Sequence, residues 1–102
     1  MKQELIEQIQ QLKKKFEPDG FIIVGVFGSY VRGDNTLSSD LDLLVELTAQ
    51  FKSKFRGFKA ISKLDEIEKD ISDFLQVKVD VVQKSTLSPI ARKYILDEVA
   101  YV

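Results

Sequence analysis

The chain has 102 residues, of which 15 are Lys or Arg and 16 are Asp or Glu, and it contains no histidine, cysteine or tryptophan. This length predicts one domain over residues 1–102, and the formal charge of −1 argues against a dedicated nucleic-acid binder, which would need a basic surface. The absence of Cys and His excludes disulfides, thiolate nucleophiles, Ser-His-Asp triads and metal sites built from Cys or His. Any catalysis must therefore use carboxylates, hydroxyls, Lys, Arg, backbone dipoles and hard metal ions.

No segment of the sequence predicts export or membrane insertion. Residues 1–15 are charged and lack the apolar stretch of a signal peptide. The longest apolar run, Phe21–Phe27, is far too short to cross a bilayer. We therefore expect a cytoplasmic protein with no membrane contact.

Apolar residues at helical spacing predict four helices. A stripe over residues 5–16 gives the first, Ser29–Gly33 forms a short one, and a stripe from Phe58 to Leu75 marks a long one. Ser88 is an N-cap followed by a first-turn proline, and it starts the last helix. We expect this last helix to continue through Tyr101.

Three segments with strand character lie between the helices. Phe21–Phe27 is apolar on both faces, which is typical of a central strand that is covered on both sides. In Leu41–Leu47 the odd-numbered residues are Leu or Val, whereas Asp42 projects from the opposite face. In Val77–Val82 the same alternation places Asp80 on the face opposite the valines at positions 77, 79 and 81.

The predicted order of elements is αβαβαβα, with residues 48–57 left unassigned. Helices that alternate with strands in this way are typical of an α/β sandwich. We therefore expect a small sheet of three or more strands flanked by helices.

Three aspartates are the first candidates for chemistry. Asp40 and Asp42 are two residues apart in a predicted strand, so they project from one face with Cα atoms about 6.5–7 Å apart. Carboxylates so placed can converge on one Mg²⁺, which prefers hard oxygen ligands. If the third strand neighbours the second, Asp80 joins them, and three carboxylates suffice for two metal ions about 3.5–4 Å apart.

The turn at Gly28-Ser29 is the complementary candidate, for phosphate. A strand there runs through a tight turn into a helix, whose backbone N–H groups and dipole attract anions. Gly28 lets the backbone approach a ligand closely, and the Ser29 hydroxyl can donate to a phosphate oxygen. Arg32, one turn further on, can add a cationic contact.

Each of these features alone has a simpler explanation. A Gly-Ser turn is usually only a turn, and an Asp-x-Asp at the start of a strand is often only solvated. Asp80 in a valine-rich strand is harder to explain, because an unpaired aspartate facing a core is costly. Carboxylates clustered without a cation would also repel one another, so the combination favours a functional site.

These residues resemble a known family. Gly28-Ser29, ten further residues and Asp40-Leu41-Asp42 match the Gly-Ser-x10-Asp-x-Asp signature of the nucleotidyltransferase superfamily related to DNA polymerase β. The longer strings Gly28–Gly33 and Ser39–Val45 resemble the minimal nucleotidyltransferase group, whose size and element order the whole chain shares. One departure is Gln76, which stands where the family often has a Gly after the long helix.

The resemblance implies a nucleotidyltransferase fold with a mixed sheet. Asp40 and Asp42 would hold Mg²⁺ on the nucleotide triphosphate, and Asp80 would complete a second metal site and help to activate the acceptor hydroxyl. Gly28 and Ser29 would bind the terminal phosphates. Members of the group act as antitoxins that transfer AMP from ATP to a tyrosine of a HEPN-domain toxin. The implied partners are therefore ATP and a HEPN toxin, with no nucleic acid. The sequence does not fix the oligomeric state, and it leaves a homo-oligomer and a hetero-oligomer both open.

Two alternative functions stay open from the sequence. The first is a non-catalytic antitoxin or binding protein, which inhibits its partner by occlusion. The second is a small-molecule nucleotidyltransferase of the aminoglycoside-modifying kind. Those enzymes generally carry extra substrate-binding structure, whereas only about 20 residues follow Asp80 here.

A basic segment over residues 52–63 also has two interpretations. It contains five Lys or Arg residues and no acid. A solvated helix or loop surface is the simpler interpretation. The other is a mobile flap that contacts the triphosphate or an acidic partner.

Overall fold

A computed structural model describes residues 1–102, which form five α-helices, two short 3-10 helices and four strands. None of the helices is both long enough and apolar enough to cross a membrane. The helices are α1 (Gln3–Phe16), α2 (Ser29–Arg32), α3 (Ala49–Lys54), α4 (Phe58–Leu75) and α5 (Pro89–Glu98). The strands are β1 (Phe21–Phe27), β2 (Leu41–Leu47), β3 (Val79–Gln83) and β4 (Ala100–Tyr101).

The strands form one mixed sheet in the order β3-β2-β1-β4. Strand β1 pairs antiparallel with β2 and with β4, whereas β2 pairs parallel with β3. A parallel pair needs a crossover connection, which α3 and α4 provide between β2 and β3. The expected α/β class, a small mixed sheet flanked by helices, is confirmed.

The hydrophobic core lies between one face of the sheet and the helices α1 and α4. Both helices are amphipathic, and their apolar stripes cover the sheet. Each fully buried side chain of this kind contributes roughly 1.5–3 kcal/mol of transfer free energy. The buried cluster consists of Ile9, Leu12, Phe16, Phe21, Ile23, Val26, Leu41, Leu43, Val45, Phe51, Ile67, Ile71 and Val79.

A bulge in β1 decides which of its residues face the core. The register with β2 shifts between Ile23 and Gly25. Because of this shift, Val26 follows Ile23 on the core side, and Phe27 pairs with Asp42 on the other face. The bulge therefore places an apolar ring beside one of the candidate carboxylates.

The second face of the sheet is only partly covered. Leu44 is fully buried there, outside the core cluster. Helix α5 runs along this face, since Arg92 borders the same cavity as Glu46 and Glu98 contacts the backbone of Gly28. No residue of α5 is fully buried, so this helix is held by shallow contacts.

The last residues form a strand, so the prediction of a helix through Tyr101 is wrong. Helix α5 ends at Glu98, and Ala100 and Tyr101 pair with Val26 and Gly25 of β1. The missing side chain of Gly25 permits this approach, because a Cβ there would lie 2.4 Å from the carbonyl oxygen of Ala100. Helical spacing cannot reveal such a pairing between distant parts of the chain.

The predicted order αβαβαβα is therefore incomplete. Besides β4, it lacks α3, which lies in the unassigned residues 48–57 and buries Phe51. Strand β3 begins at Val79 rather than at Val77. The carbonyl of Lys78 nevertheless accepts a hydrogen bond from the N–H of Leu41, so the approach to β3 is tied to β2.

Helix α4 ends at a glutamine in a conformation that favours glycine. Gln76 has a φ of +57° and thus lies in the left-handed region. Its side-chain amide donates a hydrogen bond of 2.6 Å to the carbonyl of Asp73. The departure from the family pattern at this position therefore leaves the end of the helix where it was predicted.

We predict that shortening a side chain to alanine destabilises the protein on the buried face of α4 but not on its exposed face. Ile71→Ala removes a fully buried side chain, and it should lower the free energy of unfolding by about 2–5 kcal/mol. Ile61→Ala is the matched control on the same helix, where the side chain is 58% exposed, and it should change stability by no more than about 0.5 kcal/mol. Urea unfolding measures both. Equal losses would contradict the placement of α4.

Candidate active site

Three carboxylates lie at one end of the second sheet face. The parallel register of β2 and β3 places Asp42 directly beside Asp80, and neighbouring strands are about 4.8 Å apart. Asp40 lies two residues before Asp42, immediately ahead of β2, and its charge acts on Asp42. The fold thus brings the three aspartates into one cluster.

The backbone at Gly28 passes close to the Asp42 carboxylate. Gly28 has a φ of +82° and a ψ of −153°, a combination that is almost restricted to glycine. A Cβ at this position would lie 2.3 Å from Oδ2 of Asp42. Glycine is therefore needed here for two independent reasons, backbone conformation and space.

Ser29 follows this turn and opens α2. Its carbonyl accepts hydrogen bonds from the N–H groups of Gly33 and Asp34, which fix the short helix. Its side chain is partly exposed, and its hydroxyl makes no hydrogen bond within the chain. The hydroxyl is therefore free to contact a ligand beside Gly28.

Clustering changes the ionisation of Asp42. Burial raises the pKa of Asp42 above its ordinary value, and the negative charges of Asp80 and Asp40 raise it further. The positive charge of Arg32 lowers the pKa but is outweighed. A cation at this position would offset both the burial and the repulsion.

The aspartates fit a magnesium ion that receives its remaining ligands from elsewhere. No group of three or more His, Cys, Asp or Glu side chains is arranged so that it could hold a metal ion. Mg²⁺ is usually bound by one or two carboxylates together with waters and substrate phosphates, so an incomplete protein cage suits it. The hard oxygen donors and the unbalanced negative charge at Asp42 both agree with that ion.

The loop before β2 positions Asp40. The Oγ of Ser39 accepts a hydrogen bond of 2.8 Å from the N–H of Thr36, which closes a tight turn. The Nζ of Lys78 lies 3.8 Å from Oδ2 of Asp40, and the Lys78 side chain is 82% exposed. This ion pair is loose and solvated, so it leaves the Asp40 carboxylate available.

Arg32, which we expected to contact phosphate, is engaged by carboxylates. Its Nε lies 3.3 Å from Oδ2 of Asp34, and its Nη1 donates to the two carboxylate oxygens of Glu98 at 3.0 and 3.2 Å. The Oε1 of Glu98 also accepts a hydrogen bond from the N–H of Gly28. Sequence reasoning missed Glu98 because it lies 70 residues from Gly28 and belongs to no recognisable motif.

The basic segment over residues 52–63 lies at the opposite end of the sheet. Lys54 pairs with Asp19 at 3.0 Å, in the turn that leads into Phe21. Phe21 pairs with Leu47, whereas Asp42 lies at the other end of β2, roughly 17 Å away at the usual rise per residue. Lys54 of this segment thus lies far from Asp42, and a contact of the segment with a triphosphate or with an acidic partner stays a prediction.

Comparison with known proteins identifies the family. Residues 4–102 match a family model described as the nucleotidyltransferase domain. The chain belongs to this nucleotidyltransferase family. The resemblance noted in the Gly-Ser and Asp-x-Asp strings is thereby confirmed, and the chain is a nucleotidyltransferase by class of enzyme.

Two relatives of this nucleotidyltransferase match it over almost its whole length. The protein adenylyltransferase MntA of Thermococcus cleftensis is 38% identical over 101 residues, which cover 97% of this chain and 94% of the relative. A candidate protein adenylyltransferase of Methanocaldococcus jannaschii is 29% identical over 103 residues, which cover 100% of this chain and 94% of the relative.

Two solved structures share the fold of this nucleotidyltransferase. A candidate minimal nucleotidyltransferase has a TM-score of 0.75 and 27% identity, with 97% of this chain and 93% of that chain covered. A toxin–antitoxin crystal structure with AMP-PNP has a TM-score of 0.66 and 18% identity, with 93% of this chain and 69% of that chain covered. The second likeness concerns the fold alone.

We predict that two glycines with nearly equal φ respond differently to alanine. Gly33→Ala costs about 1–2 kcal/mol, because φ is +83° but no atom lies within 4 Å of the new Cβ. Gly28→Ala should cost more, and it should also displace the Asp42 carboxylate, which meets the new Cβ. Thermal unfolding and nucleotide-binding titrations compare the variants. Equal stability with unchanged nucleotide binding in both would contradict the packing at Gly28.

We predict that the Asp42 charge destabilises the free protein at neutral pH. The raised pKa means that the folded state binds the Asp42 proton more tightly than the unfolded chain, so ionisation reduces stability as the pH rises above the ordinary aspartate pKa of about 3.9. Asp42→Asn should therefore raise Tm at pH 7, with a gain that disappears below about pH 3.9. Asp65→Asn, on the exposed side of α4, is the control and should show no such gain. A lower Tm for Asp42→Asn at pH 7 would contradict this account.

Proposed function

We propose that this nucleotidyltransferase is a magnesium-dependent protein adenylyltransferase, which transfers AMP from ATP to a tyrosine hydroxyl of a HEPN toxin and so acts as its antitoxin. The observation that carries the proposal is the placement of Asp42. Its carboxylate is paired in register with Asp80 and packed against the backbone of Gly28. Metal-binding carboxylates and a phosphate-binding turn therefore share one small region.

The relatives support the acceptor class and the partner. The 38% identical relative from Thermococcus cleftensis is named as a protein adenylyltransferase, and it matches nearly the whole chain. A toxin–antitoxin structure with AMP-PNP shares the fold. The name of that relative supports transfer of an adenylyl group to a protein, and the toxin–antitoxin structure is the reason for proposing a toxin as that protein.

The turn at Gly28-Ser29 binds the triphosphate in this proposal. Gly28 lets the backbone approach within contact distance, and the Ser29 hydroxyl, which has no partner within the chain, donates to a phosphate oxygen. Arg32 lies one turn further on and contributes positive charge to the same region.

The three aspartates are the metal ligands in this proposal. Asp40 and Asp42 would hold one magnesium ion, and Asp80 together with Asp42 would hold a second. Bound there, the ions would supply positive charge for the leaving pyrophosphate and for ionisation of the attacking hydroxyl. Asp80 is exposed, so a hydroxyl on a partner surface can reach it. This scheme explains how transfer proceeds in a chain without histidine.

The intact mass of the partner tests the reaction. A HEPN toxin incubated with this protein, ATP and Mg²⁺ should gain the mass of one AMP at a tyrosine. Asp42→Asn should slow the gain by about 10²–10³-fold, as expected when a group that stabilises transition-state charge is removed. Asp65→Asn is the matched control and should retain the wild-type rate.

Two outcomes would contradict the proposal. A toxin that stays unmodified but is still neutralised in cells by Asp42→Asn would establish inhibition by occlusion. Transfer of AMP to an aminoglycoside with no transfer to the toxin would establish a small-molecule enzyme.

A further inference from the structure

Glu98 already occupies polar groups that the proposed nucleotide needs. Its Oε1 accepts hydrogen bonds from the N–H of Gly28 and from Nη1 of Arg32, the latter at 3.0 Å. Its Oε2 accepts from the same Arg32 nitrogen at 3.2 Å. A carboxylate and a phosphate present the same anionic oxygens to such donors, so only one of them can fill the positions at a time.

The position of Glu98 is unusual for a purely structural ion pair. It adds a fourth carboxylate to a region that already holds three aspartates. After burial and the two aspartates, Glu98 is a further cause that raises the pKa of Asp42. Arg32 is the one cation acting on Asp42, and Glu98 and Asp34 engage it on both sides.

The helix that carries Glu98 buries little surface, although Val102 beyond it packs against the core and accepts a hydrogen bond of 2.7 Å from Lys13. Helix α5 has no fully buried residue, and β4, which follows it, has two residues. The ion pair itself is partly solvated, with the Arg32 side chain 51% and the Glu98 side chain 31% exposed. Segments with little buried surface open locally at a lower free energy than the core does, and a solvated ion pair adds little to that free energy.

We propose that Glu98 competes with the nucleotide for its site: the carboxylate holds the Gly28 N–H and the Arg32 guanidinium in the free protein and leaves them when a triphosphate binds. The proposal rests on the proposed function, because it assigns the same donors to the nucleotide. Glu98 keeps the donors oriented in the free protein, and its carboxylate competes with phosphate for them. The end of α5 is therefore displaced on binding.

Nucleotide affinity is the first test. We measure the Kd of AMP-PNP with Mg²⁺ for wild type and for Glu98→Gln, whose amide oxygen can still accept from Gly28 but carries no charge. Loss of the competing charge should lower Kd by about three- to tenfold. Asp97→Asn is the matched control, since it removes one exposed negative charge from the same turn of α5 and should leave Kd unchanged.

The amide resonance of Gly28 is the second test, and a merely structural role would not move it in the same way. The chain has five glycines, so this signal can be assigned with little overlap. A hydrogen bond to a carboxylate shifts an amide proton downfield, and Glu98→Gln should move it upfield. In wild type, AMP-PNP should shift the Gly28 signal together with the amides of residues 95–102.

The outcomes separate this inference from the function on which it rests. Tight AMP-PNP binding by wild type with an equal or higher Kd for Glu98→Gln, and residues 95–102 unaffected by nucleotide, would overturn the role of Glu98 only. Glu98 would then be an anchor of α5, and its loss would lower Tm. Absence of AMP-PNP binding by wild type and by Glu98→Gln alike would overturn both the inference and the proposed function.

Discussion

The candidate active site depends on one unfavourable contact, the pairing of Asp42 with Asp80 in register across two parallel strands. Two carboxylates side by side repel each other, and partial burial makes the charge on Asp42 more costly still. A sheet accepts such a pair only because hydrogen bonding fixes the register and the core on the opposite face holds both strands. A bound cation would offset both the repulsion between the carboxylates and the cost of burying Asp42.

The helices and the bulge in β1 leave the sheet face that carries Asp42 and Asp80 partly open. Helices α1 and α4 cover one face of the sheet, which leaves the other face for the aspartates. The bulge in β1 places Phe27 opposite Asp42, and the turn at Gly28 follows immediately. The Asp42 carboxylate is thus partly buried against the Gly28 backbone, and this burial, together with the charges of Asp80 and Asp40, raises its pKa.

Much of this could be predicted from the sequence. Alternation along Leu41–Leu47 and around Asp80 fixed the face of each aspartate, and the spacing of Gly28-Ser29 from Asp40-Leu41-Asp42 indicated the family. Local patterns could not reveal β4, which exists only through its pairing with β1. Glu98 was missed for the same reason, because its role arises from contacts with residues on the other side of the fold.

Anomalous diffraction from crystals grown with Mn²⁺ and AMP-PNP tests the central claim most directly, because manganese replaces magnesium and is visible by its scattering. The account predicts a metal ion about 2.0–2.2 Å from a carboxylate oxygen of Asp42, with the phosphates against Gly28 and Ser29. Manganese bound away from Asp42, or a triphosphate that does not contact the Gly28-Ser29 turn, would contradict it.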